Sequence, residues 1–301
     1  MSTNPILEMT PDPADPVPLV ELKQHLVVFV DGAPGPQTTR RVYDVGMAHF
    51  GDIFKTVRAT AQGSPMHAWT PQFRAHFEND LLPSLRSVHI WGYSLSDGKP
   101  KDSCMMMFHG YRPASEPGMA SVYRFEFDWQ VDPSRVRSLA EHLMGEFDFL
   151  SGYGGFFLQG RPRSRYTIDS SNRLFALARR YWCCEIEDID ATAEQMHKGY
   201  KCVNWLTLIG EPLRTKFAAA VAQARAAAFD HVETASGVLL QLGERPILGD
   251  RNRQADLRTY TATAAALLPL QVQTHTAFWG PRWTEENTLA WLRRFTHPEH
   301  A

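Results

Sequence analysis

The chain has 301 residues, 44% of them apolar and 21% charged, with a formal net charge of -2. That balance excludes a disordered chain and argues against bulk electrostatic capture of nucleic acid or of an anionic membrane surface. The length allows one large or two medium domains around a sizeable core.

The opening "MSTNPILEMTPDPADPVPLVELKQ" has no basic stretch followed by an apolar one, so no secretory signal is read and a cytoplasmic location is expected. Residues 1–18 are proline-rich and expected to be extended and flexible. "HLVVFVDG" (25–32) reads as a strand closed by a glycine turn. Thr38 or Thr39 is placed to cap a long helix through "RRVYDVGMAHFGDIFKTVRAT", where Val42, Val45, Phe50, Ile53, Phe54 and Val57 recur at helical spacing. "TPQFRAHFENDLLPSL" predicts a second helix with Thr70 as cap and Pro71 at its first position. Three strands follow: "SVHIWGYSL", "DSCMMMFHGYR" and "ASVYRFEFDWQV". In the last, Val122, Arg124, Glu126 and Asp128 alternate with Tyr123, Phe125, Phe127 and Trp129, the pattern of a sheet covered on one side. Asp132 and Pro133 open a helix, and "GYGGFFLQG" is a strand with a glycine-rich entry.

Beyond residue 160 come a helix ("SSNRLFALARRY"), an acidic loop, a strand from Lys201 to Ile209 and a helix from Pro212 to Ala228. Short strands around "SGVLLQLG" precede a last helix, "TEENTLAWLRRF", capped by Thr284. Adjacent strands between helices predict an α+β fold, a mixed, largely antiparallel sheet or sheets flanked by helices. One domain over 19–301 is expected, open to division into two similar α+β halves at 19–160 and 161–301. The longest apolar runs, such as "ATAAALLPL", fall short of the roughly 18–20 residues of a membrane helix, so no membrane contact is expected.

The stretch "YKCVNWLTLIGEPL" (200–213) raises the question of chemistry. Cys202, with His197 upstream and Asn204 downstream, has the residue types of a cysteine-dependent hydrolase. Strand alternation places Cys202, Asn204 and Leu206 on one face and Val203, Trp205 and Thr207 on the other, which reads more simply as scaffold. The other cysteines, Cys104, Cys183 and Cys184, show no zinc-type spacing, and reduced thiols are expected. His89 and His109, with Cys104 nearby, come nearest to a metal set and read as core histidines. "GYGG" (152–155) lacks phosphate-loop spacing and runs into a strand. "RPRSRY" (161–166) reads as a solvated basic loop. No catalytic residue, cofactor or metal is assigned.

"EIEDIDATAE" is the remaining feature: Glu185, Glu187, Asp188, Asp190 and Glu194 in ten positions without a basic residue. It is a solvated face or a surface that steers onto a basic, nucleic-acid-binding partner. Tyr181 and Trp182 beside it would add contact area if exposed.

The aromatic and acidic run Tyr181–Asp190, the V-N-W-L-T-L-x-G core at Val203–Gly210 and "GYGGFFL" upstream resemble the type VI secretion immunity family, the TsiT-like group. The resemblance implies a non-enzymatic protein that binds a cognate type VI effector toxin, in some cases a nuclease, and neutralises it in the producing cell. Direct nucleic-acid binding is not expected, and apolar strand edges would be compatible with a homodimer. The alternatives are a hydrolase using Cys202 or an unrelated scaffold or adaptor.

Overall fold

The computed structural model describes residues 18–59, 65–84, 90–99, 103–111, 118–161, 166–186 and 188–299. Its strands are β1 (Val20–Val30), β2 (Thr56–Ala59), β3 (His67–Ala68), β4 (Ile90–Ser96), β5 (Cys104–Tyr111), β6 (Ser121–Asp128), β7 (Ser151–Gly160), β8 (Glu185–Ile186), β9 (Leu206–Gly210), β10 (Asp230–Thr234) and β11 (Gly237–Gln241). They form one eleven-stranded sheet in the order β10-β11-β9-β7-β1-β6-β5-β4-β2-β3, with β8 beside β7. The pairings along that order are antiparallel; β8 alone runs parallel to its neighbour. The fold is α+β, as the order of elements predicts. The two expected halves share this sheet, because β7 pairs with β1 on one side and β9 on the other.

The glycines of β7 have a steric role at that junction. A Cβ at Gly152 would lie 2.5 Å from the Val27 carbonyl oxygen, and one at Gly154 would lie 3.1 Å from that of His25. Small residues here let β7 lie close against β1, which is the reason "GYGG" runs as strand.

The helices are α1 (Pro36–Phe50), α2 (Pro71–His76), α3 (Leu82–Ser84), α4 (Pro133–Glu146), α5 (Thr167–Arg180), α6 (Ile189–Ala193), α7 (Glu211–Lys216), α8 (Ala218–Ala227), α9 (Arg258–Leu267) and α10 (Glu285–Leu292). A π-helical turn, Phe77–Leu81, joins α2 to α3. Thr70 caps α2, accepting from Phe73 N at 3.2 Å, and Thr284 caps α10, accepting from Asn287 N at 3.1 Å. Asp132 does the same for α4 at 3.0 Å.

Three sequence expectations change. Helix α1 starts at Gly35-Pro36 and stops at Phe50, so Val57 lies in β2 instead. Proline already holds the φ that a first helical turn needs, and Thr39 turns inward to meet the Tyr123 hydroxyl at 3.2 Å. The helix expected over Pro212–Ala228 breaks at Phe217 into α7 and α8. Helix α9 was not anticipated, although Tyr260, Thr263, Ala264 and Leu267 recur along its buried face at helical spacing.

Three hydrophobic clusters hold the layers together. One face of the sheet, with Leu26 and Val28 of β1, Phe125 of β6 and Leu208 of β9, packs under α1 and α4. On the other face Val27 and Phe29 pack with Leu174 of α5 and Trp291 of α10. Toward β11 that face is completed by Val221 of α8 and Tyr260 and Leu267 of α9. The sheet is therefore covered on both sides, and the polar face of β6 is interior. Glu126 is 1% exposed and is paired with Arg124 and, at 3.4 Å, with Lys23. Charged residues sit under the helices because they neutralise one another there.

Candidate functional site

Tyr200–Gly210 is built as a junction between cores. Cys202 belongs to the cluster under α5 and α10, Val203 to the one under α8 and α9, and Trp205 and Leu206 to the one under α1 and α4. Residues 201–204 are irregular, so the strand expected from Lys201 begins only at Leu206. The Thr207 hydroxyl explains this: it accepts from Asn204 N at 2.9 Å and donates to Asn204 O at 3.0 Å, closing a turn in place of ladder pairing. Gln271 ties the irregular segment down by donating to the carbonyls of Lys201 and Leu292, at 3.0 and 2.9 Å. The Trp205 indole donates to Gly243 O at 2.8 Å.

At the centre of this junction lies Glu185, the first carboxylate of the acidic run. Its side chain and that of Lys201 are each fully buried, with Nζ 2.9 Å from Oε1. Asn204 Nδ2 donates to Oε2 at 2.6 Å, and Cys202 Sγ donates to the same oxygen at 3.3 Å. Lys201 Nζ also donates to Ile186 O at 2.9 Å and sits 5.1 Å from the ring centres of Tyr153 and Phe278. Arg294, also fully buried, donates from Nε to Trp182 O at 2.6 Å and faces Cys202 Sγ from Nη1 at 3.7 Å. Burial alone would push the Glu185 carboxyl up; the charges of Lys201 and Arg294 outweigh it and hold the group below the usual carboxylate range. Burial pushes the Cys202 thiol up to about 12, Glu185 adding to the effect and the two cations only partly opposing it.

This geometry answers the question of the thiol. Cys202 is 1% exposed and held as a neutral hydrogen-bond donor, the reverse of what a nucleophile needs. His197 stands apart at the surface, with Nδ1 3.7 Å from Asp31. Cys104 and His109 lie on opposite faces of β5, and His89 lies outside the described residues. Among the described residues no group of three His, Cys, Asp or Glu is placed to hold a metal ion.

The structure separates the members of the acidic run. Glu185 is core. Tyr181 and Trp182 are each 5% exposed, so neither presents the contact area expected of it in the free protein. Glu187 lies outside the described residues. Asp188 is half-buried and capping, accepting from Ala191 N at 3.4 Å and from Trp279 N at 3.2 Å. Asp190 and Glu194 are exposed on α6 and just after it. Each accepts one hydroxyl, Asp190 that of Tyr111 at 2.7 Å and Glu194 that of Thr276 at 3.0 Å. Of the seven residues singled out for a contact surface, these two are the exposed ones among the described residues. The interior role of Glu185 had one signal in the sequence, Lys201 beside the V-N-W-L-T core, but spacing alone could not pair them.

The family model described as type VI immunity for VRR-NUC, TsiV, matches residues 60–295. The chain belongs to this family. TsiV membership carries a role in type VI immunity against a VRR-NUC nuclease effector. No curated protein matches the chain. Among solved structures, Pseudomonas aeruginosa T6SS protein PA0821 superposes with a TM-score of 0.77 at 17% identity, covering 98% of this chain and 90% of that one. At that identity the likeness establishes a shared fold. No helix among the described residues is long and apolar enough to cross a membrane.

Proposed function

We propose that this TsiV protein protects its cell by binding the VRR-NUC domain of a cognate effector in the cytoplasm and blocking its access to nucleic acid. The observation that carries this reading is the family match over most of the chain. The site geometry supports a binding role over a catalytic one: the Glu185 carboxylate is engaged by Lys201, Asn204 and Cys202, and the thiol is buried and pushed up to about 12. Protection requires little free toxin, so the complex is expected at about nanomolar Kd over roughly 1,600 Å² or more. The contact surface is assigned to the α6 face, where Asp190 and Glu194 are exposed and Asp188 is partly so. Negative charge there suits a partner whose own surface is built to hold phosphates.

The test is co-expression with a candidate VRR-NUC effector encoded in the same genome, scored by growth rescue and by co-purification. In the purified pair, Asp190→Lys with Glu194→Lys is expected to slow association about tenfold at low salt and to flatten its salt dependence. Loss of rescue by the wild-type chain would remove the function; unchanged association in the double variant would remove only the surface assignment.

A further inference from the structure

The C-terminal end of α5 and the 250–253 turn meet in an open cleft of about 400 Å³ lined by Ala176, Arg179, Arg180, Arg251 and Asn252. The two segments are held together by their backbones. Tyr181 bridges Asp250, and Trp182 N and Cys183 N donate to the carbonyls of Gly249 and Leu248, each at 3.1 Å. Arg180 forks onto the Asp250 carboxylate at 3.1 and 2.9 Å, and that carboxylate also accepts from Asn252 N at 3.0 Å. Arg251 is steadied differently, with its guanidinium 4.1 Å from the centre of the Trp182 ring. Arg179 rests 5.8 Å from the ring centre of Phe175.

Asp250 is thus engaged by Arg180 and, at 3.7 Å, by Arg253. Among the described residues Arg179 and Arg251 have no carboxylate partner, and their planar forks share the cleft. Arginines in the last turn of α5 would be favourable for the helix dipole alone, which accounts for Arg179 and Arg180. It does not account for Arg251 and Asn252, which come from a separate segment and are fastened to the same cleft.

We propose that this cleft is a binding site for an oxyanion of the phosphate class. Two unpaired guanidinium groups offer paired N–H donors to tetrahedral oxygens, Asn252 adds an amide, and Arg180 contributes charge while Asp250 holds its orientation. Stacking on Trp182 limits the freedom that Arg251 loses on binding. The basic surface is one small cleft on a chain of net charge -2, which fits a phosphate or phosphomonoester and not the path of a nucleic-acid backbone.

The experiment is a calorimetric titration of the full chain with inorganic phosphate at constant ionic strength, with total tryptophan emission followed in parallel. Saturable binding at about 1 mM Kd or tighter is expected, weakened at least tenfold in Arg179→Gln/Arg251→Gln. Both substitutions leave the Arg180–Asp250 pair intact; should Arg251→Gln fail to fold, Arg179→Gln/Asn252→Asp preserves the stack and takes its place. Citrate in the same titration separates phosphate from carboxylate chemistry. Tighter binding of phosphate than of citrate supports the site. Binding of citrate alone, equal binding by wild type and double variant, or no saturable signal overturns it.

Discussion

Glu185 and Asp190 stand five residues apart in one acidic run, and the fold treats them in opposite ways. Glu185 has no exposed side-chain surface and is surrounded by Lys201, Asn204, Cys202 and, at longer range, Arg294. Asp190 looks outward from α6 with one hydroxyl partner. In the interior a carboxylate costs far more to desolvate than one ion pair returns, so it persists only where several donors converge. At the surface water does that work, and the same group is free to meet another molecule. The difference teaches that a run of like charges in sequence need not be a patch in space.

The largest effect that could break this comparison is at Glu185. Glu185→Gln leaves Lys201 and Arg294 buried without their carboxylate and is expected to cost about 3–5 kcal/mol in urea unfolding. Asp190→Asn is expected to cost about 1 kcal/mol or less in the same measurement. The double change Glu185→Gln/Lys201→Met should recover part of the loss, since it removes the orphaned charge as well. Equal sensitivity at positions 185 and 190 would show that the buried pair does not hold the junction.

A smaller effect concerns the histidine near this centre. His275 is 3% exposed, and burial, with the charge of Lys201 adding to it, pushes its imidazole down to about 4 from an ordinary 6.5; Glu185, Glu194 and the Thr276 carbonyl oppose the change. A lowered histidine means that the unfolded chain takes up the proton first. The stability linked to His275 is therefore complete above pH 6.5 and is lost as pH falls toward 4, by up to ~3 kcal/mol. Urea unfolding at pH 7.5 and 5.0 should show the decline, and His275→Asn should make it shallower. Identical slopes in the two proteins would place the acid sensitivity elsewhere.

The smallest expected change is none. Burial pushes the thiols of Cys104, Cys183 and Cys202 up to about 12, and that of Cys184 up as well. Iodoacetamide at pH 7.5 should leave the native protein unlabelled and modify all four cysteines once it is unfolded. Rapid labelling of Cys202 in the native state would reopen a catalytic role for the junction.

Much of the architecture was legible in local sequence. Capping residues and prolines placed the starts of α2, α4 and α10, and alternation identified β6, because those signals act within a few residues. The V-N-W-L-T core was correctly suspected of building scaffold. Its irregular backbone was not legible, since it is held by the Thr207 side chain and by Gln271, which comes from 70 residues away.

By itself, then, the order of residues determined the fold class and the family. Which carboxylates face inward was decided only in three dimensions. Glu185 is buried because β8 lies beside β7 and brings it against Lys201, and Asp190 is exposed because α6 turns the chain outward just afterwards. The energy that separates the two depends on partners distant in sequence, Asn204 and Arg294 among them, whose convergence no local pattern encodes.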